Sequence, residues 1–208
     1  MLNRFLLRPL LWWWRFPLLV AVPALLIALA GEPFGAVLRY ERLAVVDGEV
    51  WRLVTGHWVH LGWWHLALNL AGLVLVWHLF GRMLPAAGWW VVLGGVAVGQ
   101  SVALMLLHPE IHWYVGLSGI LHGLLAVGAL AALPRMPLIG AGALLLLVAK
   151  LVLEALQPGV GVADSDWLGG PVLVESHRYG AFAGALVGPP VVWLAARRAA
   201  RSRPPSVR

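Results

Sequence analysis

Polar positions are so sparse along this chain that they punctuate it. Apolar runs occupy Phe16 to Ala30, Trp63 to Phe80, Trp89 to Leu107, Gly116 to Leu133, Leu138 to Leu156 and Val172 to Ala196. A helix rising about 1.5 Å per residue needs roughly 20 apolar residues to cross hydrocarbon about 30 Å thick, so each run is read as a bilayer span. The pattern predicts six helices. The first run is short and holds Pro17 and Pro23, but Trp12 to Trp14 extend it and suit an interfacial belt. It lacks the small-residue cleavage pattern of a removable signal peptide.

Basic residues orient the spans. Arg4, Arg8 and Arg15 precede the first run, Arg82 separates the second from the third, and Arg135 the fourth from the fifth; Arg197, Arg198, Arg201, Arg203 and Arg208 follow the last. Threading six helices gathers these arginines on one side, which the positive-inside rule makes cytoplasmic, with both termini there. The acids lie elsewhere: Glu32, Glu41, Asp47 and Glu49 in the first loop, Glu110 in the third, Asp164, Asp166 and Glu175 in the fifth, and Glu154 late in the fifth helix.

Composition agrees with a membrane. Hydrophobic residues make up 61% of the 208, and the mean hydropathy of +0.84 exceeds what a soluble domain can hide in its interior. No cysteine is present, which excludes disulfides, thiolate metal sites and a cysteine nucleophile. Lys and Arg number 15 against 9 acids. The excess is dispersed in flanks rather than gathered into a stripe, so no nucleic-acid partner is expected. One domain covers residues 1–200, and residues 201–208 read as a short basic cytoplasmic tail near anionic lipid. The expected fold class is an all-α membrane protein.

Polar groups inside the membrane are costly, so each is either a functional candidate or helix-packing glue. Three clusters stand out: WRLVTGHWVHLGWWHLALN from Trp51 to Asn69, GLSGILHG from Gly116 to Gly123, and ESHRYGAFAG from Glu175 to Gly184. Seventeen residues separate Arg82 from His65 and Arg135 from Ser118, and twenty separate Arg197 from His177. At about 1.5 Å per residue these are roughly 25 and 30 Å of helix, so all three side chains reach the outer part of the hydrocarbon and can meet.

His65 and Asn69, four apart, share a helix face, as do Ser118 and His122. His177, Gly180 and Gly184 form another face, whose glycines let a neighbouring helix approach closely. Gly116 and Gly119 bracket Ser118 and leave its hydroxyl uncrowded. A serine nucleophile needs a base and donors for an oxyanion. His177 can be the base; His65, Asn69 and the Ser118 amide can be the donors. Glu175 points to another side of its helix, so a Ser-His dyad is expected rather than a triad. Alone, a serine between glycines is packing glue, and GLSG departs from the GxSxG elbow of soluble hydrolases at Ile120. The conjunction of three clusters at one depth favours chemistry.

From Trp51 to Gly188 the chain resembles a rhomboid, the family of intramembrane serine proteases, and more narrowly a rhombosortase. The resemblance rests on Trp51-Arg52, on His60, His65 and Asn69, on Gly116 to Gly119, and on His177, Gly180 and Gly184. It implies a six-transmembrane-helix rhomboid-like bundle with a catalytic cleft near the outer membrane face. Ser118 would be the nucleophile, His177 the general base and acid, and His65 and Asn69 would line the oxyanion hole. Trp51 and Arg52 would be structural in the first loop. Many rhomboids carry a tyrosine where His122 stands, and GLSGxLHG is what favours rhombosortase; His122 either packs on His177 or tunes it.

The resemblance further implies a sorting peptidase of the bacterial inner membrane, with its active site towards the periplasm. Its substrates would be secreted proteins ending in a Gly-Gly motif, an apolar helix and a basic end. Membrane lipids are further partners, and either water or a lipid-derived amine resolves the acyl-enzyme. The alternatives are a general rhomboid protease and a non-catalytic membrane-helix binder. No cofactor is expected.

Other polar residues have plainer readings. Lys150 and Glu154, four apart, are either a self-paired structural element or a recognition site for substrate or headgroup. Arg178 snorkels to the interface. His108, Glu110 and His112 lack the helical HExxH spacing, so no metal is expected. His57, His60 and His78 read as structural or interfacial. Tryptophans at span ends, among them Trp63, Trp64, Trp89, Trp90, Trp113 and Trp193, read as interfacial anchors.

Overall fold

Segments that are hydrophobic all round can satisfy their backbone amides without water only as helices, and the long apolar runs do so. The structure is a computed structural model that describes residues 4–156 and 166–201. The long helices are α1 (Arg4–Ala30), α5 (Trp63–Phe80), α6 (Ala86–Leu107), α7 (Ser118–Ala132), α8 (Pro137–Leu156) and α9 (Glu175–Arg201). Short helices α2 (Glu32–Leu38), α3 (Arg42–Val46) and α4 (Arg52–Thr55) build the first loop. Strands β1 (Tyr40–Glu41) and β2 (Trp113–Tyr114) pair antiparallel, Tyr40 opposite Tyr114.

Among the described residues five helices are long and apolar enough to cross a membrane: α1 through its Trp13–Ala30 segment, α5, α6, α8 and α9. The fourth predicted run is shorter than expected. It starts as helix only at Ser118 and has 15 residues, about 22 Å of rise. The reason is Gly116, whose φ of +117° breaks the helical path ahead of Ser118. Residues 202–208, most of the expected tail, lie outside the described residues, while Arg201 still belongs to α9.

Helix α7 is the centre of the bundle, with eleven of its fifteen residues buried. Around it pack Leu66, Leu73 and Phe80 of α5, Val92 and Val96 of α6, and Ala183 of α9 in one continuous core. Helix α8 buries only Gly140 and Leu147. Its other residues, such as Leu145, Leu146 and Leu153, are exposed and suit lipid. Trp89 corrects the anchor reading. It is 1% exposed, packs near Trp77 and Phe16, and donates its indole N–H to Gly81 O at 3.0 Å. The other span-end tryptophans 63, 64, 90, 113 and 193 are exposed.

Small residues set the tightest helix contact, between α7 and α9. A Cβ at Gly180 would overlap Gly119 O; one at Gly123 would lie 2.7 Å from Gly180 O, and one at Gly184 2.6 Å from Gly123 O. Backbone therefore meets backbone along two turns, the approach that small residues allow between membrane helices.

The first loop braces the start of α7. Arg52 is buried and donates to Glu49 Oε2 at 2.5 Å, to Ala36 O at 2.8 Å and to Arg39 O at 2.9 Å. Trp51 beside it is half exposed and stands at the N-cap position of α4 without a side-chain capping bond. Arg42 N donates to His112 O and Gly116 N to Gly56 O, so the loop holds the strand that leads to Ser118.

Gly180→Ala is expected to destabilise the fold by about 1–3 kcal/mol or more, since the obstructing atom is backbone. At Gly142 of α8 an added Cβ meets nothing within 4 Å. Gly142→Ala is expected to be neutral or to stabilise by about 0.5–1 kcal/mol through the helix backbone. Thermal unfolding in detergent checks both, and equal midpoints for the two variants would contradict the packing.

Candidate active site

Ser118 is the first residue of α7 and His177 lies in the first turn of α9. The glycine contact brings these two helix starts together. His177 Nε2 is 3.0 Å from Ser118 Oγ. Ser176 beside it donates its hydroxyl to Leu173 O, which ties down the segment entering α9.

The structure corrects the expectation that no carboxylate reaches His177. Glu154 Oε1 and Oε2 lie 3.0 and 3.1 Å from His177 Nδ1. Glu154 is also paired with Lys150, as the spacing suggested, but that pair is not closed on itself. Lys150 Nζ stands 3.3 Å from the same Nδ1. The sequence carried a weak signal: Glu154 is an acid late in an apolar run, and intramembrane acids rarely lack a partner with a task. Glu175 is engaged elsewhere, accepting from Arg178 at 2.8 Å.

His122 stacks on His177, ring centroids 4.3 Å apart and planes 16° from parallel. Its Nδ1 donates to Ser118 O at 2.7 Å, the carbonyl one turn back. The ring therefore buttresses one face of His177 while its own nitrogen is held by the Ser118 backbone. Gly119 sits where a Cβ would overlap Gln100 Oε1 and come within 2.6 Å of Ser176 O.

His65 and Asn69 project from α5 into the same cavity as Ser118 and His177. Leu61 N donates to His65 Nδ1 at 3.3 Å, which leaves the proton on Nε2; that nitrogen is buried with no hydrogen-bond partner among the described residues. Asn69 Nδ2 donates to His65 O at 2.8 Å, spending one of its two protons. An unspent imidazole N–H, a second amide proton and the Ser118 N–H, which has no intrahelical acceptor at a helix start, make a set of donors for a negative oxygen. Gly116 makes room for it: a Cβ there would lie 2.8 Å from His65 Cε1.

The cavity holds about 450 Å³ and runs from these groups along α5 and α7, with Lys150 of α8 also on its wall. Its walls include Leu68, Leu75 and Leu79 of α5, all exposed on the lipid side, and Leu125 of α7. It is apolar below and polar at its head. His60 lies behind it, its ring edge-on to His65 with centroids 5.1 Å apart and Nδ1 donating to Trp58 O. In the His108 to His112 run, His108 Nδ1 is 2.6 Å from Glu110 Oε1 and its Nε2 is 2.8 Å from Tyr179 Oη.

A serine hydroxyl within hydrogen-bond reach of an imidazole, with spare donors beside it at the head of an apolar groove, is an arrangement compatible with acyl transfer. The chain belongs to the rhomboid family, whose Rhomboid domain matches residues 47–194. It is a multi-pass membrane protein. Over 98 residues it is 34% identical to "Putative rhomboid protease YdcA" of Bacillus subtilis (strain 168), covering 47% of this chain and 49% of that protein. Over 155 residues it is 28% identical to "Rhomboid-like protein 11, chloroplastic" of Arabidopsis thaliana, covering 69% of this chain and 52% of the relative. The chain spans about half the length of these relatives.

His57 and His60 lie ahead of α5, outside the spanning helices. Burial holds His57 down to about 4; burial and then neighbouring His65 hold His60 down to about 3. Unfolded, each titrates near 6.5, so below that pH the unfolded chain binds more protons and stability falls as pH drops. The thermal midpoint in detergent is expected to be level above pH 7, to decline from pH 6.5 towards 4, and to decline less steeply in His60→Gln. A midpoint unchanged down to pH 4 would count against two buried neutral imidazoles.

Proposed function

We propose that this protein is a rhombosortase-type intramembrane serine endopeptidase that removes the C-terminal sorting anchor of secreted proteins. The observation that carries the reading is the 3.0 Å contact between Ser118 Oγ and His177 Nε2 at the head of a groove open towards lipid. Six helices cross the membrane in this reading, α7 being the short central one. Both termini face the cytoplasm, and the groove's polar head faces the periplasm of a bacterial inner membrane, as the arginine distribution supports.

Catalysis follows from the donors and acceptors. His177 Nε2 takes the Ser118 hydroxyl proton as Oγ attacks the scissile carbonyl, and the oxygen of the tetrahedral intermediate is held by His65, Asn69 and the Ser118 amide. The intermediate collapses with cleavage of the C–N bond, and His177 gives its proton to the amine of the departing anchor. Water, or a lipid-derived amine, then attacks the acyl ester; His177 takes its proton and returns it to Ser118. The polar head is where water must reach the site.

Substrate choice follows from the same geometry. A helical segment must unwind before its amide can reach Ser118, and Gly-Gly lowers that cost because glycine is a poor helix former. Glycines also spare clashes with His65 and His122, which line the head of the groove. The apolar remainder of the anchor suits the Leu68, Leu75 and Leu79 wall. The GLSGxLHG form, with His122 stacked on His177, supports the rhombosortase type over a general rhomboid.

Co-expression with a reporter ending in Gly-Gly, an apolar helix and a basic tail tests this. Wild type is expected to shorten the reporter, and Ser118→Ala and His177→Ala each to lower processing by at least ~10³-fold. Changing Gly-Gly to Val-Val in the reporter is expected to block processing. Cleavage persisting in Ser118→Ala sinks the catalytic assignment. Equal cleavage of single-span proteins without Gly-Gly points to a general rhomboid protease, and no cleavage of either to a helix-binding relative.

A further inference from the structure

The carboxylate beside His177 has no role in a Ser-His dyad, yet its surroundings are built to hold it there. Helix α8 is the most lipid-exposed of the long helices between α5 and α9, but one stripe faces inward: Leu147 packs in a buried cluster with Ala126 of α7 and Ala181 of α9. Glu154 lies seven residues further, two turns along the same face. That packing fixes its height against the first turn of α9. Its side chain is 13% exposed and that of His177 8%, so the pair is largely withdrawn from solvent and lipid.

The geometry points to Glu154 as the positioning residue of the base, making Ser118, His177 and Glu154 a connected chain. This rests on the serine-protease reading above. In neutral imidazole one ring nitrogen donates and the other accepts. If Nδ1 donates to Glu154, Nε2 is bare and faces Ser118 as a base. If Nδ1 instead accepted from Lys150, Nε2 would carry the proton and could not take another. The distances favour the first: two carboxylate oxygens at 3.0 and 3.1 Å against the ammonium at 3.3 Å, with Lys150 already donating to Glu154 Oε1. When His177 takes the serine proton, Glu154 stabilises the imidazolium that forms.

The groups facing His177 are Ser118 and His122 of α7, His65 of α5, and Lys150 and Glu154 of α8. Of these, Glu154 alone is an anion. Lys150 has the complementary task of holding the carboxylate's rotamer and offsetting part of its charge.

The test uses the full-length protein in proteoliposomes with two readouts: cleavage of the Gly-Gly reporter, and labelling of Ser118 by a fluorophosphonate, which needs no anchor. Wild type is expected to label and Ser118→Ala not to; failure there overturns the serine-protease reading itself. Given that labelling, Glu154→Gln is expected to lower kcat and the labelling rate by ~10²–10⁴-fold with KM within about threefold, because the amide can donate to Nδ1 and force the wrong tautomer. Glu154→Asp, which keeps the anion, is expected to retain at least tenfold more activity than Glu154→Gln.

A merely structural carboxylate predicts the reverse order, since Gln matches Glu in volume. Wild-type rates in Glu154→Gln overturn the proposal. So does recovery of activity in Glu154→Gln/Lys150→Met, which would mean that Glu154 only neutralises Lys150. Thermal unfolding checks that each variant folds. Should Glu154→Gln not fold, Glu154→Asp decides: a loss of about tenfold in kcat at unchanged KM supports the role, and wild-type turnover refutes it.

Discussion

Backbone contact between α7 and α9 is the constraint on which the site depends. Membrane helices gain little hydrophobic energy from pairing, because lipid is as apolar as a leucine face. What holds them is close packing, and closeness is limited by the bulkiest residue at the seam. Here the seam is made of Gly119, Gly123, Gly180 and Gly184, each of which would lose its fit to a single added carbon. Widening that seam by a methyl group would separate Ser118 from His177 by more than a hydrogen bond tolerates. The glycines around the site thus set how closely Ser118 and His177 approach.

A second layer keeps the seam in register. The first loop is not a tether but a brace: Arg52 gathers three acceptors, β1 pairs with β2, and Gly56 O receives Gly116 N. These bonds fix the residues immediately ahead of Ser118, where the positive φ of Gly116 ends the extended segment and starts α7 inside the membrane depth. Trp77 and Trp58 donate to carbonyls of α1, which fastens the first helix to the same frame. The bracing at Ser118 contrasts with the exposed α8 and the exposed leucines of α5 that wall the groove.

Polar groups in this protein are economical. His65 uses one nitrogen to hold its loop and leaves the other free to donate; Asn69 uses one amide proton on its own helix and keeps another. His122 locks its Nδ1 on the Ser118 carbonyl and offers a flat face to His177. Each side chain anchors itself with one atom and presents another. In a low-dielectric site such preorganised groups act more strongly than in water and need not reorganise during reaction.

Helix positions and the meeting of Ser118, His177, His65 and Asn69 were legible in the sequence. Hydropathy, the arginine bias and residue counts along helices are one-dimensional quantities that map directly onto depth. The role of Trp89 and the start of α7 were not, because burial of a span-end tryptophan and a break at Gly116 depend on which neighbours surround them. Glu154 was the larger omission. Its spacing to Lys150 explained it locally, while its contact with His177 spans 23 residues and depends on how α8 rotates about its axis when Leu147 docks between α7 and α9. Depth is written along the chain, but azimuth is decided by packing, and azimuth determines which carboxylate meets which imidazole.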